Sequence, residues 1–258
     1  MQSPAPASYH RHFHCGKTVN ASKNQTNLNS ANYNSEFSIV ARLQSELVLK
    51  LILIGVLNLW VYLPYLFLQR HNFFPVTNVP SCAFDHMIPF SDQAVWFYLS
   101  IYLLMPVGPF LMGKRNQILR YAAGIVLISL LANIVFIFWP TSCPRPVVQK
   151  TNLAYQALTT IDNSCQAFPS LHAAFAVYSA LCGGLVLREL QCVSIWRICL
   201  WLWASLILYA TLATKQHVLA DIIAGSALGL GIYVCAFNRW ISICKCKPTL
   251  QAVTNNIE

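Results

Sequence analysis

The chain has 258 residues, of which 56% are hydrophobic and only 10% charged, whereas about a quarter of a typical soluble domain is charged. Because so few charges cannot cover a water-exposed surface, this composition excludes an ordinary water-soluble fold. The net charge of +9 does not indicate a nucleic-acid partner. The basic residues are scattered between apolar runs, as expected of Lys and Arg that flank membrane spans.

The first part of the chain, residues 1–42, is polar and rich in Asn and Ser. This composition predicts a disordered tail with no signal-peptide core. Residues 10–15 (HRHFHC) suggest a metal site as a weaker alternative, because binding there would require a flexible segment to become ordered. We predict a membrane domain over 43–240 and a short C-terminal tail over 241–258.

Six apolar runs of about twenty residues follow, each long enough for a helix to cross a bilayer. They predict an all-α, polytopic bundle of six transmembrane helices at Leu47–Leu68, Ala94–Met112, Leu119–Trp139, Pro169–Leu187, Ile195–Ala213 and His217–Phe237. Pro106, Gly108 and Pro109 predict a bend near the end of the second span. The spacing of Gly225 and Gly229 permits close helix packing, within the bundle or between subunits of a homo-oligomer.

The charges that flank these spans are distributed unevenly. If the N-terminal tail is cytoplasmic, most of the flanking Lys and Arg residues lie on that side, in accord with the positive-inside rule. The other side holds only Arg70, Arg145, Lys150 and Lys215. We therefore expect an integral protein of a plasma or inner membrane, with connections 69–93, 140–168 and 214–216 on the non-cytoplasmic face.

Most of the ten cysteines lie in apolar runs, where a free thiol behaves as a small hydrophobic group. Cys244 and Cys246 lack the partner pairs of a zinc site and indicate free thiols or a juxtamembrane acylation site. A disulfide between Cys143 and Cys165 is an open alternative, because both lie in one predicted loop.

Three polar segments fall on the predicted non-cytoplasmic face: 140–146 (PTSCPRP), 168–172 (FPSLH) and 214–221 (TKQHVLAD). Ionisable residues at span ends are candidates for function, because leaving them there without partners is costly. Arg145 and Lys215 supply positive charge that suits phosphate oxygens. Contact with anionic lipid headgroups is the alternative for both.

His217 and Asp221 are four residues apart at a predicted helix start, so they share one face. A carboxylate there fixes the imidazole tautomer and leaves the other ring nitrogen free to attack an electrophile. A buried histidine satisfied by a carboxylate is the alternative. His172 follows Pro169 near another helix start, where free N–H groups from Ser170 onward favour an anion. Its imidazole either protonates a leaving oxygen or merely faces interfacial water.

Together these segments resemble the three signature motifs of the phosphatidic acid phosphatase type 2 and vanadium haloperoxidase superfamily. The resemblance covers roughly residues 85 to 235, and its membrane-bound branch includes lipid phosphatases and inositol phosphorylceramide synthase-like transferases. It implies a six-helix bundle with the site at the outer face. It also implies that His217 is the nucleophile that forms a phosphohistidine, Asp221 its orienting partner and His172 the general acid.

By the same resemblance, Arg145 and the region of Ser170 bind phosphate oxygens. The sequence departs from the family's pattern at two places. Phe138 stands where the first motif commonly has Lys, and Ala210-Thr211 stands where the third commonly has Ser-Arg. Two phosphate-binding cations are therefore missing, and we predict that Lys215 replaces one of them.

The expected activity is that of a lipid phosphate phosphatase acting on a lipid phosphate or pyrophosphate. We expect no cofactor and no metal, because the sequence has no Asp/Glu cluster that suits magnesium. Two alternatives remain open at this point. One is a lipid phosphotransferase of the inositol phosphorylceramide synthase type, and the other is a non-catalytic protein that binds or transports lipid phosphates.

Overall fold

The computed structural model describes residues 39–143, 145–146 and 151–254, with side chains described as far as residue 237. The histidine-rich segment 10–15 and nearly all of the predicted tail lie outside these residues, as do the side chains of Cys244 and Cys246. The chain is already helical over residues 39–44, which include the last four residues of the predicted tail.

Six helices are long and apolar enough to cross a membrane, which confirms the predicted number of spans and the all-α class. The chain is an integral membrane protein. We name the spans TM1 to TM6, and they are Leu47–Arg70, Asp92–Leu111, Arg115–Phe138, Leu171–Glu189, Ser194–Ala213 and Leu219–Phe237. The helix that contains TM6 continues to Thr254 and thus includes most of the predicted C-terminal tail.

Several shorter elements lie between or within the spans. TM2 contains a 3-10 turn and two α-helices interrupted at Ser100, and its second helix continues through Pro106 and Pro109. The elements that the sequence did not predict are helices Ala83–Met87 and Leu153–Ile161 and the two-residue strands Thr77–Asn78 and Thr141–Ser142. These four elements lie in the TM1–TM2 and TM3–TM4 connections. We call the end of the bundle that carries these connections, together with the TM5–TM6 turn, the upper end.

TM4 is the central helix and is buried on nearly all of its faces. It packs against TM2, TM3, TM5 and TM6. Small residues such as Ala173, Ala174, Ala180 and Gly183 allow these neighbours to approach, as is usual where helices associate within a membrane. TM4 therefore fixes the positions of the helices around it.

The closest approach is between TM4 and TM6. A Cβ atom on Gly225 would lie 2.2 Å from the Ser170 carbonyl oxygen, and one on Gly229 would lie 2.3 Å from that of Ala174. Only glycine fits at these two positions. The glycine pair in the sixth span therefore serves packing within the bundle.

TM1 lies at the edge of the bundle and is buried mainly at its two ends. Lys50 at the lower end is buried, as are Leu68 and Gln69 at the upper end. The Lys50 ammonium donates a hydrogen bond to the Phe110 carbonyl oxygen at 3.1 Å. The residues of TM1 between these anchors are half-buried or exposed.

Replacing Gly225 or Gly229 with alanine is expected to lower the apparent Tm in detergent by several degrees. The added methyl group must displace backbone, and such overpacking costs about 1–3 kcal/mol. Gly231→Ala is the matched control, because a Cβ there has no neighbour within 4 Å. Equal melting temperatures for all three variants would contradict the close contact between TM4 and TM6.

Candidate active site

The three connections at the upper end pack against one another. The strand Thr77–Asn78 pairs in parallel with Thr141–Ser142, and the Phe168 N–H donates to the Thr141 hydroxyl at 2.8 Å. The Tyr155 hydroxyl donates to the Thr214 carbonyl oxygen at 3.2 Å. The structure therefore brings the three polar segments together at one end of the bundle.

His217 lies in the turn between TM5 and TM6, two residues before TM6 begins. TM5 ends in a Schellman motif, because the Gln216 N–H donates to the Thr211 carbonyl and the Lys215 N–H to that of Leu212. Lys215 has a φ of 54° and occupies the left-handed position of this motif, where glycine is usual. The His217 N–H also donates to the Thr211 carbonyl, at 3.2 Å. The motif thus sets the direction in which the histidine leaves TM5.

Asp221 lies beside the ring of His217. Its carboxylate is fully buried, and Oδ2 lies 3.4 Å from Nδ1 of His217. The same oxygen accepts a hydrogen bond from the Val218 N–H at 3.0 Å. If Nδ1 carries the proton, Nε2 is the basic nitrogen, and it makes no hydrogen bond within the described part of the chain. The spacing of the two residues in the sequence therefore does produce the predicted contact.

The starts of TM4 and TM6 are joined by a hydrogen bond between their backbones. The Ser170 N–H donates to the Asp221 carbonyl oxygen at 3.0 Å. The Ser170 hydroxyl caps TM4, accepting from the Ala173 N–H at 3.3 Å. TM4 consequently begins at Leu171, so that Pro169 precedes the cap and does not occupy the first turn as predicted. The N–H groups of the first turn still point out of the helix.

His172 is the second residue of TM4. Its ring stacks on that of Tyr98 from TM2, with 3.9 Å between the ring centroids and 21° between the planes. Its Nε2 atom is buried and has no hydrogen-bond partner within the described residues. A buried ring nitrogen without a partner is costly, and such groups are common where a ligand supplies the missing contact.

His172 and His217 line the same cavity, which has a volume of about 650 Å³. The lining also includes Asp162, which accepts a hydrogen bond from the Tyr65 hydroxyl at 2.9 Å. Two histidines, one of them beside a carboxylate, thus lie at the upper end of a cavity that is otherwise largely apolar.

The sequence profile of the PAP2 superfamily matches residues 68–235, about two thirds of the chain. The chain belongs to the PAP2 superfamily. Membership supports an activity of the phosphatase or phosphotransferase type. Neither the comparison with curated proteins nor that with solved structures gave a match.

In this PAP2 chain, Arg145 lies beside the histidine cavity and does not line it. Its Nη2 donates to the Asn163 carbonyl oxygen at 3.0 Å and lies 3.7 Å from the Asp162 carboxylate. Its Nη1 donates to the Asp162 carbonyl oxygen. The buried Nε has no partner among the residues described. Arg145 is thus tied to the edge of the cavity through Asp162.

Lys215 points away from the cavity. Its ammonium donates to the carbonyl oxygens of Asp85 at 2.8 Å and Ile88 at 2.6 Å. These oxygens lie at the end of the short helix Ala83–Met87, where a cation is favourable. Lys215 therefore links the TM5–TM6 turn, to which it belongs, to the TM1–TM2 connection. Its predicted contact with phosphate stays a prediction.

Asp85 contributes to the site and was missed by the sequence analysis. Its Oδ1 accepts from the Leu219 N–H at 2.7 Å, which caps the start of TM6 two residues after His217. Its Oδ2 accepts from the Cys82 N–H at 2.8 Å, closing a capping box. Burial favours the neutral acid, but hydrogen bonds from the Cys82 and Leu219 N–H groups and the nearby Lys215 charge together lower the pKa of Asp85. It acts as a positioning residue, because it holds the helix that follows the nucleophile candidate.

The remaining sequence expectations concern side chains around the site. Phe138 is 68% exposed at the end of TM3, and Ala210 and Thr211 are fully buried, so none of these three places a cation in the cavity. Cys143 and Cys165 are free thiols, and the disulfide considered from the sequence is not formed. Burial raises the pKa of Cys143 to about 12. Among the described residues, no group of three or more His, Cys, Asp and Glu side chains is arranged to hold a metal ion.

Asp85→Ala is expected to lower the apparent Tm at neutral pH, because the loss of a helix cap costs about 0.5–2 kcal/mol. Since the pKa of Asp85 is lowered in the folded state, its contribution is present above the unfolded value of about 3.9 and is lost as the pH falls through the folded value. The melting temperatures of wild type and variant should therefore converge below about pH 4. A difference in melting temperature between wild type and variant that does not depend on pH would exclude a role for the carboxylate charge.

Proposed function

We propose that this protein is a lipid phosphate phosphatase that works through a phosphohistidine on His217 and requires no metal ion. The observation that carries the proposal is the pair of imidazoles at one cavity: His217 is oriented by Asp221, and His172 has an unpartnered buried Nε2. A histidine held by a carboxylate is suited to nucleophilic attack, and a second histidine nearby is suited to proton transfer.

In the first step, Nε2 of His217 attacks the phosphorus atom of the substrate. The bond between phosphorus and the lipid oxygen breaks, and that oxygen leaves with the electron pair and takes a proton from His172. Asp221 stabilises the positive charge that develops on the ring of His217. The product of this step is a lipid alcohol, or a lipid monophosphate when the substrate is a pyrophosphate.

In the second step, a water molecule attacks the phosphorus atom of the phosphohistidine. His172, now neutral, takes a proton from the water, and the bond between phosphorus and Nε2 breaks. Inorganic phosphate leaves, and both histidines return to their starting states. Water at the upper end of the bundle, outside the hydrocarbon region, suits this step.

The negative charge on the phosphate oxygens must be stabilised by hydrogen-bond donors near the histidines. In this proposal they are the N–H groups at the start of TM4 beside Ser170 and the guanidinium of Arg145, whose Nε is uncommitted. Binding of phosphate by Arg145 would compete with its ion pair to Asp162. Lys215 supports the site from its position in the turn before His217.

The proposed site faces the non-cytoplasmic side of a plasma or inner membrane. The support for this side is the charge asymmetry of the loops, since the connections at the upper end hold few cations.

Phosphoryl transfer to an alcohol is the second candidate. The feature that favours it is Asp162, a carboxylate that lines the cavity, because a carboxylate can accept a hydrogen bond from the hydroxyl group of an acceptor alcohol.

His217→Ala should lower phosphate release from lipid phosphates at least about a thousandfold, and His172→Ala about 100- to 10,000-fold. The assay uses purified protein with EDTA present, and a labelled substrate should leave an acid-labile label on the wild type but not on His217→Ala. His71→Ala, an exposed histidine at the same end, is the control and should remain active. Activity that EDTA abolishes and magnesium restores would count against the mechanism. Label found on an added alcohol and not in free phosphate would favour the transferase.

Lys215→Gln should lower kcat/KM at least about tenfold, because charge near a phosphate and the position of the His217 turn both depend on the ammonium. Comparing apparent Tm with KM separates the two causes. If Lys215 serves to hold the two loops together, the variant should have a lower Tm and a lower kcat. If Lys215 binds phosphate directly, the variant should have a higher KM at an unchanged Tm. Unchanged kinetics would remove Lys215 from the site altogether.

A further inference from the structure

The cavity that holds the two histidines continues far below them along TM1. The side chains of TM1 that line it recur every three or four residues, from Lys50 through Ile54, Leu57 and Val61 to the adjacent pair 65–66. This spacing corresponds to one face of a helix. A single face of TM1 therefore borders the cavity over nearly the whole length of the span.

The length of this face can be compared with the thickness of a bilayer. Sixteen residues separate Lys50 from Leu66, and at about 1.5 Å per residue they extend over roughly 24 Å. The hydrocarbon core of a bilayer is about 30 Å thick, so one leaflet contributes about 15 Å. The cavity consequently extends from the upper end past the midplane of the membrane.

The walls opposite TM1 are mainly apolar. They include Met105 and Pro109 of TM2, Ile118 of TM3 and Phe175 of TM4. The floor is polar, because the Lys50 ammonium lies there, hydrogen-bonded to the carbonyl oxygens of Phe110 and Arg42. The cavity therefore has histidines at one end, hydrocarbon side chains along its length and a fixed cation at the other end.

The attachments of TM1 explain how this space persists. At the upper end, the side chains of Tyr65 and Gln69 both donate to Asp162. At the lower end, Lys50 is fixed to the end of TM2. Between these anchors, the hydroxyl groups of Tyr62 and Tyr102 are hydrogen-bonded, and the cavity-facing residues of TM1 are only half-buried. TM1 is thus held as an outer wall at a distance from TM4.

We propose that this cavity binds the hydrocarbon chain of the lipid phosphate and selects substrates whose chain reaches beyond the bilayer midplane. The inference rests on the proposed function, because the phosphate at His172 and His217 sets where the chain begins. From there the chain follows TM1 toward Lys50. A chain is the occupant that fits, since the space lies within membrane spans, has apolar walls and opens at the phosphate end to the two histidines.

Burial of each additional methylene group is favourable when the group would otherwise be in water. A substrate held in lipid or detergent gains less, so selection for length arises mainly from the fit to the walls. The floor at Lys50 sets the upper limit, because a chain that reached it would meet a charged group.

The experiment measures kcat/KM for alkyl phosphates graded in length from well short of the midplane to beyond it. The wild type should prefer the longer chains. Ile54→Trp places an indole low in the cavity and should lower kcat/KM at least tenfold for the longest chains, and less for short ones. Ile52→Trp is the matched control, because Ile52 is 56% exposed on the outside of TM1 and its profile should match that of the wild type. Ile54→Phe is a smaller obstruction for use if the tryptophan variant does not fold.

Binding is measured separately from turnover, as the rise in apparent Tm with non-hydrolysable alkyl phosphonates of the same lengths. If the wild type releases no phosphate, but long phosphonates stabilise it and Ile54→Trp removes the effect, the chain site stands and the proposed function fails. Phosphate release with no dependence on chain length, or equal effects of the two tryptophan variants, overturns the chain site alone. If the wild type shows neither phosphate release nor stabilisation by the phosphonates, both the chain site and the proposed function are overturned.

Discussion

The arrangement of the site depends on the close contact between TM4 and TM6. Inside a membrane, apolar burial does not favour a neighbouring helix over lipid, so packing and hydrogen bonds between helices must hold them together. The backbone of TM6 at Gly225 and Gly229 lies directly on carbonyl groups of TM4, and the Ser170 N–H binds the Asp221 carbonyl above them. These contacts fix the register between the two helices. A shift of one turn, about 5.4 Å, would separate His172 from His217.

The polar connections at the upper end complete what this packing begins. Each of the main charged groups there binds a segment that is distant in the chain: Asp85 binds the start of TM6, Lys215 binds the connection that contains Asp85, and Arg145 binds residues 162–163. Such bonds to backbone groups are directional, and bonds to charged groups are stronger than those between neutral groups. Through them, together with a small apolar cluster of Val79, Cys143, Ala167 and Val218, the loops hold the site at the helix ends.

The spans were predictable because the bilayer imposes a simple constraint, a run of about twenty apolar residues. TM5 was expected at Ile195–Ala213 and is found at Ser194–Ala213. The contact between His217 and Asp221 was also expected from their spacing, although His217 lies ahead of the helix and the turn that ends TM5 sets its direction. The positions of Arg145 and Lys215 were not. The partners of Arg145 lie 17 and 18 residues further along the same connection, and those of Lys215 belong to the TM1–TM2 connection. The same holds for Asp85, whose bond to Leu219 joins residues 134 apart in the chain, and for two-residue strands, which have no detectable period.

TM1 differs from the rest of the bundle in one further respect. The region that matches the PAP2 superfamily begins at residue 68, so the side of the cavity that Lys50 to Leu66 provide is encoded ahead of it. Substitutions in this first helix can reshape that side of the cavity while the histidines, Asp221 and the glycine contacts stay as they are. In evolution or in engineering, the shape of the cavity can therefore diverge through one peripheral helix, independently of the two histidines.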